Sequence, residues 1–343
     1  MFDIDLPLPR KIHHYSDMIA VCLGYLFNIS LLVVVLKNKD KGLKSFRQIV
    51  FMNCVLDLFL TTTTLIAEME CESYKGILYF FASSFLAKMV SPFWHYILIY
   101  IFCLGIGFSM FYAPIPFYHR YMLICKDVIL SRKQIVTILL IPMSLSIWIC
   151  GWQFYSMLQT DKRRAEFSSY INNTLWRQED GTLPMFAAYP MDNIPAIVYL
   201  GHCLVCFPIA WGLPFYFFKQ IYKSYLNSKD SMSPKAQKLY IALNRALISQ
   251  AVIPFVFGSM APSLTMTTLL FRFDIPFLAN IAAASISWVP AINPFLTFLF
   301  IPSYRRALIP KAFLRRVLTN LVDTSTVDPS VVSMTNNRTH SKN

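Results

Sequence analysis

Charge is scarce in this chain. Only 14% of its 343 residues are Asp, Glu, Lys or Arg, against 56% apolar residues and a mean hydropathy of +0.48. Soluble domains carry about a quarter charged residues, so this composition excludes one and points to a chain solvated largely by lipid. Metal and nucleotide motifs are missing too. The histidines His13, His14, His95, His119, His202 and His340 are scattered, with no spacing that sets two on one helical face for zinc. A membrane hydrolase would need clustered His and acidic ligands, so no catalysis, cofactor or metal is expected.

What the chain has in place of charge is long apolar runs. A spanning helix needs roughly 20 apolar residues, and seven stretches qualify: Ser16 to Leu36, Ile49 to Ala67, Phe93 to Tyr118, Gln134 to Tyr155, Ile194 to Phe218, Ala246 to Leu270 and Phe277 to Ile301. Ile77 to Ala87 is too short for an eighth. With Asp17 assigned to the amino-terminal segment, Asp57 reads as the one formal charge inside a span. No repeat relates the first three spans to the last three, so the duplicated build common in transporters has no support.

The loops alternate in charge. Lys37, Lys39, Lys41, Lys44 and Arg47 follow the first span, Arg120, Lys126, Arg132 and Lys133 the third, and a more basic segment, Lys219 to Arg245, the fifth. Asp3, Asp5 and Asp17 precede the first span, and Glu68, Glu70 and Glu72 follow the second. Lys and Arg prefer the cytoplasmic side, which predicts an external amino terminus and an internal carboxyl terminus. The net charge of +13 is thus spent on orientation in the membrane, and no nucleic-acid partner is expected. The first stretch has no small-residue cleavage site and reads as a retained helix rather than a signal peptide.

These signals predict an all-α membrane protein, a seven-transmembrane helix bundle, divided into an external segment (1–15), the bundle (16–301), a short amphipathic membrane-surface helix (302–322) and a disordered cytoplasmic tail (323–343). In the surface helix, Arg305, Arg306, Lys311, Arg315 and Arg316 interleave with Leu308, Phe313 and Val317, a pattern suited to anionic lipid. The external loop between spans four and five carries the sequon Asn172-Asn173-Thr174, so Asn172 is the expected glycosylation site. The sequons at Asn28 and Asn337 fall within the membrane or inside the cell. Cys71 is expected outside, and whether it joins a disulfide is open.

An ionised carboxylate at mid-membrane costs about 2.5–3.5 kcal/mol on insertion scales, so Asp57 is expected to face the bundle interior. With Asn28 and Asn293 it forms either a polar switch or ion site, or a structural hydrogen-bond hub. Prolines within the spans, among them Pro142, Pro208, Pro254 and Pro294, remove backbone donors and are candidate hinges. Arg120 and Tyr121 close the third span, where an arginine either meets a cytoplasmic partner or snorkels to the interface.

Several segments together resemble the nematode serpentine chemoreceptors, and among them the delta class. They are Leu23 to Asn28, Asn53 to Leu58, Tyr118-His119-Arg120-Tyr121, Ala242 to Pro254, Asn293 to Thr297, and Pro302 to Arg306. The resemblance runs from about Ser16 to Leu308. It implies a G-protein-coupled receptor for a small environmental or pheromone-like molecule, with a heterotrimeric G protein as partner, set in the plasma membrane of a sensory cilium. It also favours the switch reading of Asp57 and a coupling role for Arg120 and Tyr121. Unlike rhodopsin-like receptors, the chain has His119 in place of an acidic residue before Arg120, and no cysteine in the second external loop.

By depth alone, the expected ligand pocket lies in the outer half of the bundle. Trp94, His95 and Tyr96 would contribute from the third span, Tyr199 and His202 from the fifth, Met260 and Thr265 from the sixth, and Asn280 and Ser285 from the seventh. Core packing is the alternative for each. The rival functions are a seven-helix ligand-gated channel, which would normally be inverted in the membrane, and a small-molecule transporter.

Overall fold

The structure is a computed structural model that describes residues 7–37, 44–171, 176, 183–301 and 304–305. The sequon at Asn172, the surface helix beyond Arg305 and the tail lie outside the described residues.

Helices α1 (Leu8–Lys37), α2 (Lys44–Ala67), α3 (Phe85–Met89), α4 (Pro92–Tyr112), α5 (Pro114–Cys125), α6 (Arg132–Met157) and α7 (Arg164–Tyr170) fill the first half. The second half contains α8 (Ile194–Ser228), α9 (Pro234–Ile253), α10 (Ala261–Phe271), α11 (Leu278–Ser287) and α12 (Val289–Phe300). Six continuous helical stretches are long and apolar enough to cross a membrane, and α11 with α12, bent by 43°, makes a seventh. The seven-helix expectation therefore holds.

Proline sets the irregularities. Pro114 and Pro116 open α5 directly after α4, and Pro254 begins a π-helical turn, Pro254–Met260, that joins α9 to α10. A ring without N–H leaves a carbonyl one turn earlier unbonded, and a wide turn is one way a membrane helix absorbs that loss. At the end of α2 the hydroxyls of Thr61, Thr62, Thr63 and Thr64 each donate to a carbonyl three or four residues back, so none enters lipid unsatisfied.

α1 begins eight residues before the expected Ser16, and this corrects the charge reading. Asp17 lies inside the helix, only 1% exposed, so Asp57 is not the sole formal charge in a span-forming helix. Its cost is offset by His13 one turn away, with Nε2 3.4 Å from the carboxylate.

Residues 68–92, expected as a loop between the second and third spans, contain two strands. Strands β1 (Met69–Tyr74) and β2 (Ile77–Ala82) form an antiparallel hairpin in register Met69↔Ala82 to Tyr74↔Ile77. Its two-residue turn, Lys75-Gly76, has φ values of 49° and 72°, the left-handed pair that matches strand twist. Strand β3 (Ala187–Pro190) adds to β2. One face, with Met69, Cys71, Leu78, Phe80 and Tyr189, packs on Tyr96, Ile99 and Phe102 of α4, Leu269 of α10 and Ala279 and Ala283 of α11. The other face, with Ile77, Tyr79 and Phe81, is covered by Phe167, Ile171, Trp176 and Phe186, and the Phe81 ring stacks on Trp176 at 4.1 Å. A sheet buried on both faces requires an apolar residue at nearly every position, and β2 reads ILYFFA.

The sheet, α7 and Trp176 form a cap over one end of the bundle. Cys71 is buried beneath it, its N–H donating to Asn280 Oδ1 at 3.3 Å, and all eight cysteines are free. Cys71 thus forms no disulfide.

Glycine sets the closest helix approach. A Cβ on Gly24 of α1 would lie 2.8 Å from Thr61 Oγ1 of α2, closer than van der Waals contact permits. Gly24→Val is therefore expected to destabilise the fold by about 1–3 kcal/mol, the usual cost of overpacking. Gly151→Val, at a site with nothing within 4 Å, is expected to be neutral. Thermal melting of the two purified variants checks the pair; equal melting temperatures would contradict the close packing of α1 on α2.

Candidate functional site

Asp57 lies on α2 at the edge of a cavity of about 30 Å³, bounded by Asn53, Ser109, Tyr112, Gln250, Pro254 and Asn293 among others. That volume accommodates about two waters. Asn293 Nδ2 of α12 donates to Asp57 Oδ1 at 3.2 Å. Gln250 Nε2 of α9 donates to Thr297 Oγ1 at 2.7 Å, and the same hydroxyl donates to the Asn293 carbonyl at 3.0 Å. A continuous polar path thus joins α2, α12 and α9. Asn53 Oδ1, Tyr112 Oη, Gln250 Oε1 and Asn293 Oδ1 have no protein partner and belong to residues lining the cavity. This leaves acceptor capacity for a rearranged network.

Asn28 enters by a different route. Pro294 has no N–H to give to Pro290, its neighbour one turn back in α12. Asn28 Nδ2 of α1 supplies the missing donor, at 2.7 Å from the Pro290 carbonyl and 2.8 Å from that of Gly24. Asn28 therefore repairs the proline break and fastens α1 to α12, while Asp57 and Asn293 bond directly. The three residues expected to act together do meet on α12, through two separate contacts.

Arg120 lies on α5 at the bundle end opposite the cap, 5% exposed. Its guanidinium sits over the ring of Tyr240 from α9, 5.0 Å from the centroid, and Nη2 donates to the Tyr240 carbonyl at 3.4 Å. Tyr240 in turn stacks on Tyr225 of α8 at 4.3 Å, and its hydroxyl donates to the Ile221 carbonyl at 3.1 Å. Tyr121 packs at a tilt on Phe217 of α8, their ring centroids 5.4 Å apart. His119 turns away from this group and lines a separate small cavity with Gln48, Ile49 and Ile135. Arg120 is thus clasped by the Tyr240 ring and backbone carbonyl rather than by a carboxylate, which fits the lack of an acidic residue before it.

The expected pocket residues do not converge. Trp94 is 57% exposed on the outside of the bundle. His95 is buried and accepts from Ala82 N–H of the cap; Tyr96 donates to Asp161 at 2.8 Å. Tyr199 packs edgewise on Tyr189 of β3, and Asn280 holds β1. Half-buried His202 accepts from the exposed Trp148 across α6 and α8. Ser285 donates to carbonyls of Phe257 and Ala282, and Thr265 is buried. The Met260 side chain lies outside the described ones. Tyr96, Tyr199 and Asn280 thus support the underside of the cap, while Trp94 faces outward and His202 is half-buried between α6 and α8.

The sequence reading missed Gln250, Thr297, Tyr112 and Tyr240. A lone amide inside an apolar run was a usable signal for Gln250. Nothing local marks Tyr240 among eighteen tyrosines.

A seven-helix membrane bundle with a buried polar centre and an arginine clasped at one end is the build of a G-protein-coupled-receptor-type protein. Residues 13–309 match the family described as serpentine type 7TM GPCR chemoreceptor Str, and the chain belongs to that family, one of receptors rather than enzymes. It is 25% identical to serpentine receptor class r-10 of Caenorhabditis elegans over 85% of this chain and 88% of that one. It is 24% identical to serpentine receptor class delta-1 of the same organism, over 86% of this chain and 79% of the relative. With serpentine receptor class delta-2 it is again 24% identical, over 94% and 89% of the two chains. It is a multi-pass membrane protein.

Proposed function

We propose that the chain is a chemosensory receptor that binds a small environmental or pheromone-like molecule from the cap end and activates a heterotrimeric G protein at the Arg120 end. The cap end then faces outside, in the plasma membrane and, by the family likeness, in a sensory cilium. The observation that carries this reading is the clasp of Arg120 by Tyr240. A buried guanidinium held by one ring from another helix is a ready donor that can be exposed by moving α9, and the Asp57 network reaches α9 through Gln250.

Binding and coupling are linked. A ligand that favours the open inner end binds that state more tightly, and a G protein that binds the same state raises ligand affinity by the same factor. Ligand affinity is expected to fall when guanine nucleotide uncouples the partner. Ligand-dependent nucleotide exchange on a co-expressed G protein is the direct measurement. A ligand-evoked current without any G protein would overturn the reading in favour of a channel.

Orientation has its own test. With the cap outside, Asn172 is expected to be glycosylated in a eukaryotic host, and the glycosidase-sensitive mobility shift to vanish in Asn172→Gln. Antibody access to an epitope in that loop only after permeabilisation would reverse the topology.

A further inference from the structure

The junction between α1 and the cap concentrates charge that neither the polar centre nor the Arg120 clasp uses. Asp17, Glu68 and Glu70 are all buried there, and among the described residues the guanidinium of Arg10 faces them. Arg10 takes Glu70, with Nε 2.6 Å from Oε2, and lies over the Trp176 ring at 5.1 Å. The two remaining carboxylates each face an imidazole. His13 Nε2 is 3.4 Å from Asp17, and His14 Nδ1 contacts Glu68 directly. Lys11 shares this turn of α1, and α11, also packed here, contributes no titratable side chain.

The charge balance of this junction therefore depends on protons. A protonated imidazole makes an ion pair with its buried carboxylate; a neutral one removes that counter-charge from a buried anion, a costly change. Histidine ordinarily changes charge near pH 6.5.

We propose that the cap is a proton-held latch: charged His14 fastens α1 to Glu68 at the entry to the hairpin, charged His13 balances Asp17 beside it on α1, and loss of these protons leaves buried charge that releases the hairpin from the bundle. This deepens the receptor reading and rests on it, because a lifted hairpin would uncover the bundle end through which the ligand is proposed to enter.

Two acidic groups act in the same direction. Burial pushes the Glu68 carboxyl above its usual range, against the opposing His14 contact. At the far end of β1, near Asp274, Lys75 and Arg272, burial pushes Glu72 up to about 7, opposed by hydrogen bonds from the Phe277 and Ser73 backbone. The closed cap thus holds more protons than an open one from about pH 4.5 to 7, and its stability falls as pH rises through that window.

Hydrogen–deuterium exchange of the full chain in lipid nanodiscs tests this, because both membrane faces then share one buffer and topology does not enter. After correction for intrinsic exchange, protection of residues 69–82 is expected to fall at least tenfold between pH 5.5 and 8, while residues 24–37 stay constant. In His13→Gln/His14→Gln the hairpin is expected to be weakly protected at both pH values. If that double variant does not fold, His14→Gln alone, at a partly exposed position, is expected to flatten part of the dependence. Protection independent of pH in the unmodified chain, or an unchanged fall in either variant, would overturn the latch. Since no ligand or G protein takes part, such a failure leaves the receptor reading untouched.

Discussion

Arg120→Ala is expected to abolish ligand-stimulated nucleotide exchange while leaving ligand binding measurable. The side chain lies at the bundle end opposite the cap, so its removal cannot touch a pocket beneath the cap. Truncating a hydrogen-bonded charge at an interface costs about 2–5 kcal/mol, which is roughly a 30-fold loss or more in productive coupling. Tyr240→Ala is expected to do the reverse. It removes a cation–π contact and a ring stack, each on the order of 1 kcal/mol, and so raises basal exchange by roughly 5- to 30-fold. Tyr240→Phe keeps both ring contacts and loses the hydrogen bond to Ile221, so its basal rate is expected to fall between the two. Exchange assays at matched receptor density check all three. A silent Tyr240→Ala would show that the clasp restrains nothing.

Asp57→Asn is expected to reach the membrane in folded form and to shift the dose–response curve, because an amide keeps the shape and the acceptor for Asn293 Nδ2 while removing charge. Asp57→Leu is expected to be far worse. Its apolar side chain would fill the edge of the cavity and strand Asn293, already short of a partner on Oδ1, at about 1–3 kcal/mol for each unsatisfied group. Surface expression and ligand response of both variants, measured together, separate the alternatives. A normal response in Asp57→Asn at equal expression would reduce the residue to a structural hub.

The two effects are connected through Gln250. It links α9 to Thr297 of α12, and Thr297 bonds the backbone of the residue that holds Asp57. A change at Asp57 therefore reaches the helix that carries Tyr240 through three hydrogen bonds, none of them the α1 to α12 contact that Asn28 maintains.

The sequence by itself determined the seven spans, because runs of about 20 apolar residues have few other solutions once the backbone must satisfy its own hydrogen bonds. It also marked Asp57, Asn293 and Arg120, since a polar side chain in an apolar run stands out by its cost. It identified Asn28 as polar and internal, but not that its purpose is the carbonyl freed by Pro294, which belongs to a helix more than 260 residues away.

Tertiary structure decided the rest. β2 is an apolar run too short to span and was legible only as a loop, because a strand buried on both faces has no alternation to read. Its partners lie in β1, whose acidic residues suggested a solvated turn, and in β3, more than a hundred residues away. Asp17 and Glu68 looked like surface charge, and only their pairing with His13 and His14 makes burial tolerable. Pocket residues chosen by depth failed to converge because depth fixes height along a helix and not its rotation: Trp94 lies on an outward face and His202 against Trp148 of α6, placements that only packing between helices selects.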